Sequence, residues 1–126
     1  MSLRTPLSQA RGLGSAKDGT GHFIAQRITA IALIPLSVWF VFGVLSIVGS
    51  DYETAIAWLQ NPITSVLLLA LIIATFYHAD LGMQVVIEDY VSDEFKKTVM
   101  LLGSKFAIVL LGLAASLAVI KISLGG

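Results

Sequence analysis

Cysteine is absent from this chain, and only two of its 126 residues are histidine. The missing thiols exclude disulfides, cysteine-held zinc and iron–sulfur clusters ligated by this chain. They also leave the redox compartment unread. Charge is scarce as well: Asp, Glu, Lys and Arg make up 13% of the residues, about half the ~25% of soluble domains. Formal net charge is zero, so no basic surface points to nucleic acid. What fills the space is hydrocarbon, 56% of all residues. It is gathered in uncharged stretches of about twenty residues, the length that crosses a bilayer. A soluble enzyme is excluded on that ground. Three spans with so few polar residues do not line a pore either. No internal repeat or low-complexity tract is visible.

Residues 1–22 are polar, carry Arg4, Arg11 and Lys17, and lack the apolar centre of a secretory signal. Arginine and serine there suggest a transit peptide, and Asp18 argues against one. The expectation is an N-terminal cytoplasmic tail over 1–20 and a three-helix membrane domain over 21–126. The fold class is all-α, with transmembrane spans at about 28–48, 62–87 and 99–120. Span one carries Pro35, which removes a backbone donor and predicts a mild kink. Asn61 and Pro62 suit the cap and first turn of span two. Ser92-Asp93-Glu94 offers a cap and an acidic first turn to span three. Lys105, near its start, is expected to snorkel toward the headgroups. Between spans one and two, Tyr52, Ile56, Trp58 and Leu59 predict a short interfacial helix.

Basic residues set the expected orientation. Arg4, Arg11, Lys17 and Arg27 precede span one, and Lys96, Lys97 and Lys105 follow span two. The connection at 51–60 holds Asp51 and Glu53 but no Lys or Arg. The positive-inside rule then places the N-terminus and the second loop on the cytoplasmic or matrix side.

The run from His78 to Val91 departs from the apolar pattern. Histidine and aspartate are costly at membrane depth, so their presence points to use. His78 and Asp89 are eleven positions apart, which on a helix returns to within roughly 20° at a rise of about 16 Å. Gly82, four residues on, shares that face and leaves room beside the imidazole for a flat bulky group or a close-packed helix. For His78 the residues leave two readings, an interhelical hydrogen bond or a ligand. One histidine at this depth cannot supply two axial ligands, so a second would come from another subunit. His22 and Arg27 lie nearer the surface, placed for acidic groups. Arg27 reads as a topology anchor or as a fork-like donor to a carboxylate. Tyr90 reads as a belt tyrosine or as a donor to a carbonyl ligand, with Asp89 beside it able to relay protons. Asp80 points away from His78 and is expected to pair with a polar group on a neighbouring chain, or to be neutral.

Two segments together resemble the D-type hydrophobic membrane-anchor subunit of bacterial succinate dehydrogenase, respiratory complex II. One is His78 with Gly82 and, eleven residues after the histidine, Asp89-Tyr90-Val91. The other is the run from Gly21 through Arg27-Ile28-Thr29-Ala30-Ile31. The resemblance spans about residues 21–120. It implies that His78 ligates haem b, with the second axial histidine from the C-type anchor subunit (cytochrome b). It further implies that Tyr90 and Asp89 border a ubiquinone site, and that Arg27 and His22 lie near haem propionates. The implied partners are that C-type subunit, an iron–sulfur subunit and a flavoprotein subunit. The implied location is a bacterial inner membrane, and the implied process is electron transport from the tricarboxylic acid cycle. On this reading the chain is not an enzyme alone. The anchor of a quinol:fumarate reductase and a purely structural assembly subunit are the alternatives.

Overall fold

In the computed structural model, residues 6, 7 and 16–126 are described, with side chains in the first helix from residue 19. Four helices account for nearly all of them: α1 (Ala16–Ile47), α2 (Tyr52–Gln60), α3 (Pro62–Tyr90) and α4 (Glu94–Ser123). Among the described residues there is no strand. The three long helices each carry a stretch apolar enough to cross a membrane, beginning at Gly19 in the first case. The expected short helix between spans one and two is α2.

Most of the tail expected over 1–20 lies outside the described residues. Its last part, from Ala16, is already α1. Hydropathy marks where the lipid begins, whereas a helix continues until a residue breaks it, and nothing from Ala16 to Arg27 does. Helices α3 and α4 likewise run beyond the apolar stretches, to Tyr90 and back to Glu94.

The stops are local chemistry. Gly49, with φ 81°, turns the chain after α1, in the left-handed region that glycine enters without a Cβ penalty. Asp51 caps α2, its side chain accepting from the Thr54 amide at 2.9 Å. Asn61 accepts from the Ile63 amide at 2.9 Å with Pro62 following. Asp93 accepts from the Lys96 amide at 2.9 Å to start α4. Each cap satisfies a first-turn N–H that the helix itself leaves unpaired.

Helix α3 lies between the other two spans, and α1 and α4 do not meet. Helix α2 closes one end, touching all three long helices. Its Trp58 stacks on Trp39 of α1 with centroids 5.9 Å apart, and a Cβ on Gly43 would run into the Trp58 indole. The interior is small and partly polar: Thr29, Thr64, Ser65, Leu68, Asp80, Leu81 and Ile87 are the buried residues. The large apolar side chains, such as Ile31, Phe42, Ile73 and Leu113, face outward. In water that distribution would be a liability. In lipid it is expected, because hydrocarbon solvates such surfaces and helices associate through small and polar contacts.

Candidate functional site

Helix α3 presents polar groups on two faces. Toward α1, His78 Nδ1 lies 2.9 Å from Thr29 Oγ1. Thr29 is buried, and its hydroxyl also lies 2.9 Å from the Ala25 carbonyl and 3.0 Å from that of Gln26. Beside the imidazole is a hollow of about 280 Å³ lined by Phe23, Gln26, Arg27, Ala30 and His78. The Arg27 guanidinium sits over the Phe23 ring, 4.9 Å from its centroid. That is cation–π geometry, which leaves the N–H fork free to meet an acid. Among the described residues Arg27 makes no ion pair. One turn beyond His78, a Cβ on Gly82 would meet no atom within 4 Å, so this face is open.

Of the candidate residues, His78 and Arg27 are brought together at the hollow. His22 is half-buried on α1 but does not line it. Asp89 and Tyr90 end α3 in exposed positions, Tyr90 at 84%. They are separated from His78 by about 16 Å of helix rise, a second locus rather than part of the first. No group of three His, Cys, Asp or Glu that could hold a metal ion exists among the described residues. Among the described residues, His78 stands outside any such group.

The opposite face of α3 corrects an expectation. Asp80 is buried and finds its partner within this chain: Lys105 Nζ of α4 lies 3.5 Å from Oδ2, and Gln84 Nε2 donates to the same oxygen at 3.3 Å. Its other oxygen, Oδ1, is buried without a hydrogen-bond partner among the described residues. Lys105, expected to reach for the headgroups, has its ammonium beside this carboxylate, where an opposite charge in a poorly solvating medium is a strong attraction. Above the pair runs an apolar groove between α3 and α4, lined by Ile72, Phe76 and Ile108 among others. The same two helices meet at Gly112 against Phe76, and at Ser65 Oγ, which donates to Ser123 Oγ at 3.0 Å.

Thr29, Phe23 and Gln26 were not singled out by the sequence pattern, although all three lie in the run that carried the resemblance. A threonine within a lipid-facing helix is the signal that points to Thr29, since its hydroxyl needs a partner there.

Comparison with known proteins agrees in family. A family model described as succinate dehydrogenase/fumarate reductase transmembrane subunit matches residues 1–119. A succinate dehydrogenase hydrophobic membrane anchor subunit from Rickettsia bellii is 41% identical over 85% of this chain and 86% of its own length. The protein so named from Rickettsia conorii is 37% identical with the same two coverages, 85% and 86%. The one from Paracoccus denitrificans is 29% identical over 99% of this chain and 96% of its own. With three membrane-spanning helices and these relatives, the chain belongs to the family of succinate dehydrogenase hydrophobic membrane-anchor subunits.

Proposed function

We propose that this anchor holds one side of a haem b and one wall of a ubiquinone-reduction site. It would do so within a succinate:ubiquinone oxidoreductase completed by a C-type anchor, an iron–sulfur subunit and a flavoprotein. The observation that carries the proposal is the His78 imidazole at a hollow shared with Arg27, which makes no ion pair among the described residues, on a face left open at Gly82. Those residues fit half of a haem site. His78 offers the axial nitrogen, Arg27 a cation for a propionate, and the absent Gly82 side chain the room for a flat ring beside the imidazole. His22 lies on the same helix, five residues before Arg27, and serves the same acidic edge. When bound, haem b supplies a one-electron redox centre.

At the far end of α3, the exposed Tyr90 phenol donates to a quinone carbonyl, and Asp89 passes protons from water to the reduced ring. Reduction to quinol takes two electrons and two protons, and the electrons are those released when succinate becomes fumarate in the other subunits. Positive-inside bias puts the Tyr90 end, with Lys96 and Lys97, at the cytoplasmic surface of a bacterial inner membrane. The N-terminus, including residues 1–20, lies on that side, and residues 21–126 form the membrane-anchor domain.

The test is a reduced-minus-oxidised visible spectrum of the complex purified through this chain, beside His78→Ala and Tyr90→Phe. A b-type signal lost or shifted in His78→Ala, with flavin still co-purifying, supports ligation. An unchanged signal moves the ligand elsewhere. Tyr90→Phe should impair quinone reduction while leaving dye-coupled succinate oxidation intact. Equal loss of both in an assembled complex would end the quinone assignment.

A further inference from the structure

We infer that Thr29 sets the tautomer of His78, holding Nδ1 as a hydrogen-bond donor and leaving Nε2 as the bare, ligating nitrogen. The inference rests on the haem reading for its consequence, but its geometry is independent of it. Thr29 Oγ1 has three neighbours at hydrogen-bond distance: the Ala25 carbonyl at 2.9 Å, the Gln26 carbonyl at 3.0 Å and His78 Nδ1 at 2.9 Å. A hydroxyl carries one hydrogen and two lone pairs, whereas a carbonyl oxygen only accepts. If the hydrogen pointed to Nδ1, the hydroxyl oxygen would face both carbonyl oxygens at about 3 Å with nothing between them. Directed instead at the carbonyls, as a mid-helix threonine commonly does, the hydrogen satisfies that side. The lone pairs are then free for an N–H from the ring. Nδ1 is therefore the ring nitrogen that carries a hydrogen and donates it to Thr29.

Burial makes the choice binding. Thr29 is only 8% exposed, so water does not compete for the hydroxyl. Both residues lie within continuous helix, Thr29 in the middle of α1 and His78 three turns from the end of α3. The ring is thus pinned in rotation as well as in protonation. This is the second partner that metal-bound histidines use to fix their orientation and raise their basicity. The chain Nδ1–H···Oγ1–H···O=C carries that polarisation back to the α1 backbone. A more electron-rich imidazole favours the ferric state of a bound iron, so Thr29 acts as a positioning residue that lowers the haem midpoint potential.

The test uses the purified membrane complex and a potentiometric titration of its b-type absorbance in four forms: unaltered, Thr29→Val, Thr29→Ser and His78→Ala. Thr29→Val keeps the volume and removes the hydroxyl. The expected result is a midpoint potential shifted upward and haem retention weakened by about 10–100-fold, the range for loss of such a partner. Thr29→Ser should restore both. If Val perturbs assembly, Thr29→Ala removes the same group and takes its place. A midpoint unchanged in Thr29→Val, while His78→Ala abolishes the spectrum, overturns the Thr29 inference and leaves ligation standing. A downward shift would mean that the hydroxyl had been donating to Nδ1, and overturns it equally. A spectrum unaffected by His78→Ala removes the haem reading itself.

Discussion

Two faces of one helix handle polarity in opposite ways. Toward α4, Asp80 pairs with Lys105 inside the chain and accepts from Gln84, and the same two helices also meet at Phe76 with Gly112 and, farther along, at the serine pair. Toward α1, His78 is held by a threonine, Arg27 finds no acid among the described residues, and Gly82 faces nothing. Polar groups in hydrocarbon are tolerated only with partners. Among the described residues, the α4-facing side answers its charge within the chain and leaves Asp80 Oδ1 alone without a partner; the α1-facing side leaves the Arg27 charge unanswered. Composition does not separate them, since ionisable side chains of α3 lie on both. What separates them is whether the neighbouring helix brings the complementary charge.

The largest effect should come from breaking the closed face. Asp80→Leu leaves Lys105 without its counter-ion and should destabilise the α3–α4 contact by about 1–3 kcal/mol. That is below the ~3–5 kcal/mol of a fully buried pair, because the pair is a single N···O approach of 3.5 Å. Asp80→Leu with Lys105→Met should recover most of the loss, and neither variant should alter the b-type spectrum. Detergent unfolding of the purified complex measures this; a double variant no better than the single one would show that the charge is not what matters.

One substitution made on both faces sharpens the contrast. Gly112→Leu drives a side chain into Phe76, already 3.4 Å from where a Cβ would sit, and should cost this chain about 1–3 kcal/mol by overpacking. Gly82→Leu meets no atom of this chain within 4 Å. It should leave the stability of α1 to α4 within about 0.5 kcal/mol while lowering haem content or assembly with the other subunits. If Gly82→Leu assembles normally with full haem, the open face has no occupant there.

Arg27→Gln should raise haem loss by about tenfold, the equivalent of one charge-assisted hydrogen bond. Arg27→Lys should recover part of it, because the charge survives without the fork. Haem transfer to an acceptor protein gives the rates, and equal rates for all three forms would reduce Arg27 to a topology anchor.

The smallest effect lies away from both faces. The Thr54 side chain and then its backbone amide, both bonded to Asp51, hold the Asp51 carboxyl below its usual value of 3.8. A carboxylate with a lowered folded pKa stabilises above its unfolded pKa and loses that contribution as pH falls through the folded one. The α2 cap should therefore weaken below about pH 4. Protection of the Thr54 amide, measured against its intrinsic exchange rate at each pH, should fall there in the unaltered chain, and should show no such pH step in Asp51→Asn.

Much of this was open to reading along the chain. Asn61-Pro62 and Asp93 announced the starts of α3 and α4 because capping is local chemistry, decided within three residues. The spans were legible because lipid selects on side-chain composition alone. The pairing of Asp80 was not, because Lys105 is twenty-five residues away and on another helix. Nor was Thr29 distinguished from Thr64 or Thr75, since only the register of α1 against α3 decides which threonine meets an imidazole.

The sequence by itself determined that three apolar helices are long enough to cross a bilayer, where two of them are capped, and that His78, Gly82 and Asp89 share one helical face. Those follow from hydropathy, caps and the 3.6-residue period, all properties of one helix at a time. Only the tertiary structure decided that α3 sits between α1 and α4, and that Lys105 answers Asp80 while Thr29 answers His78. Apolar helices in lipid have no hydrophobic stripe to fix their rotation. Their register is settled by a few polar and small-residue contacts, which exist only once the helices are side by side.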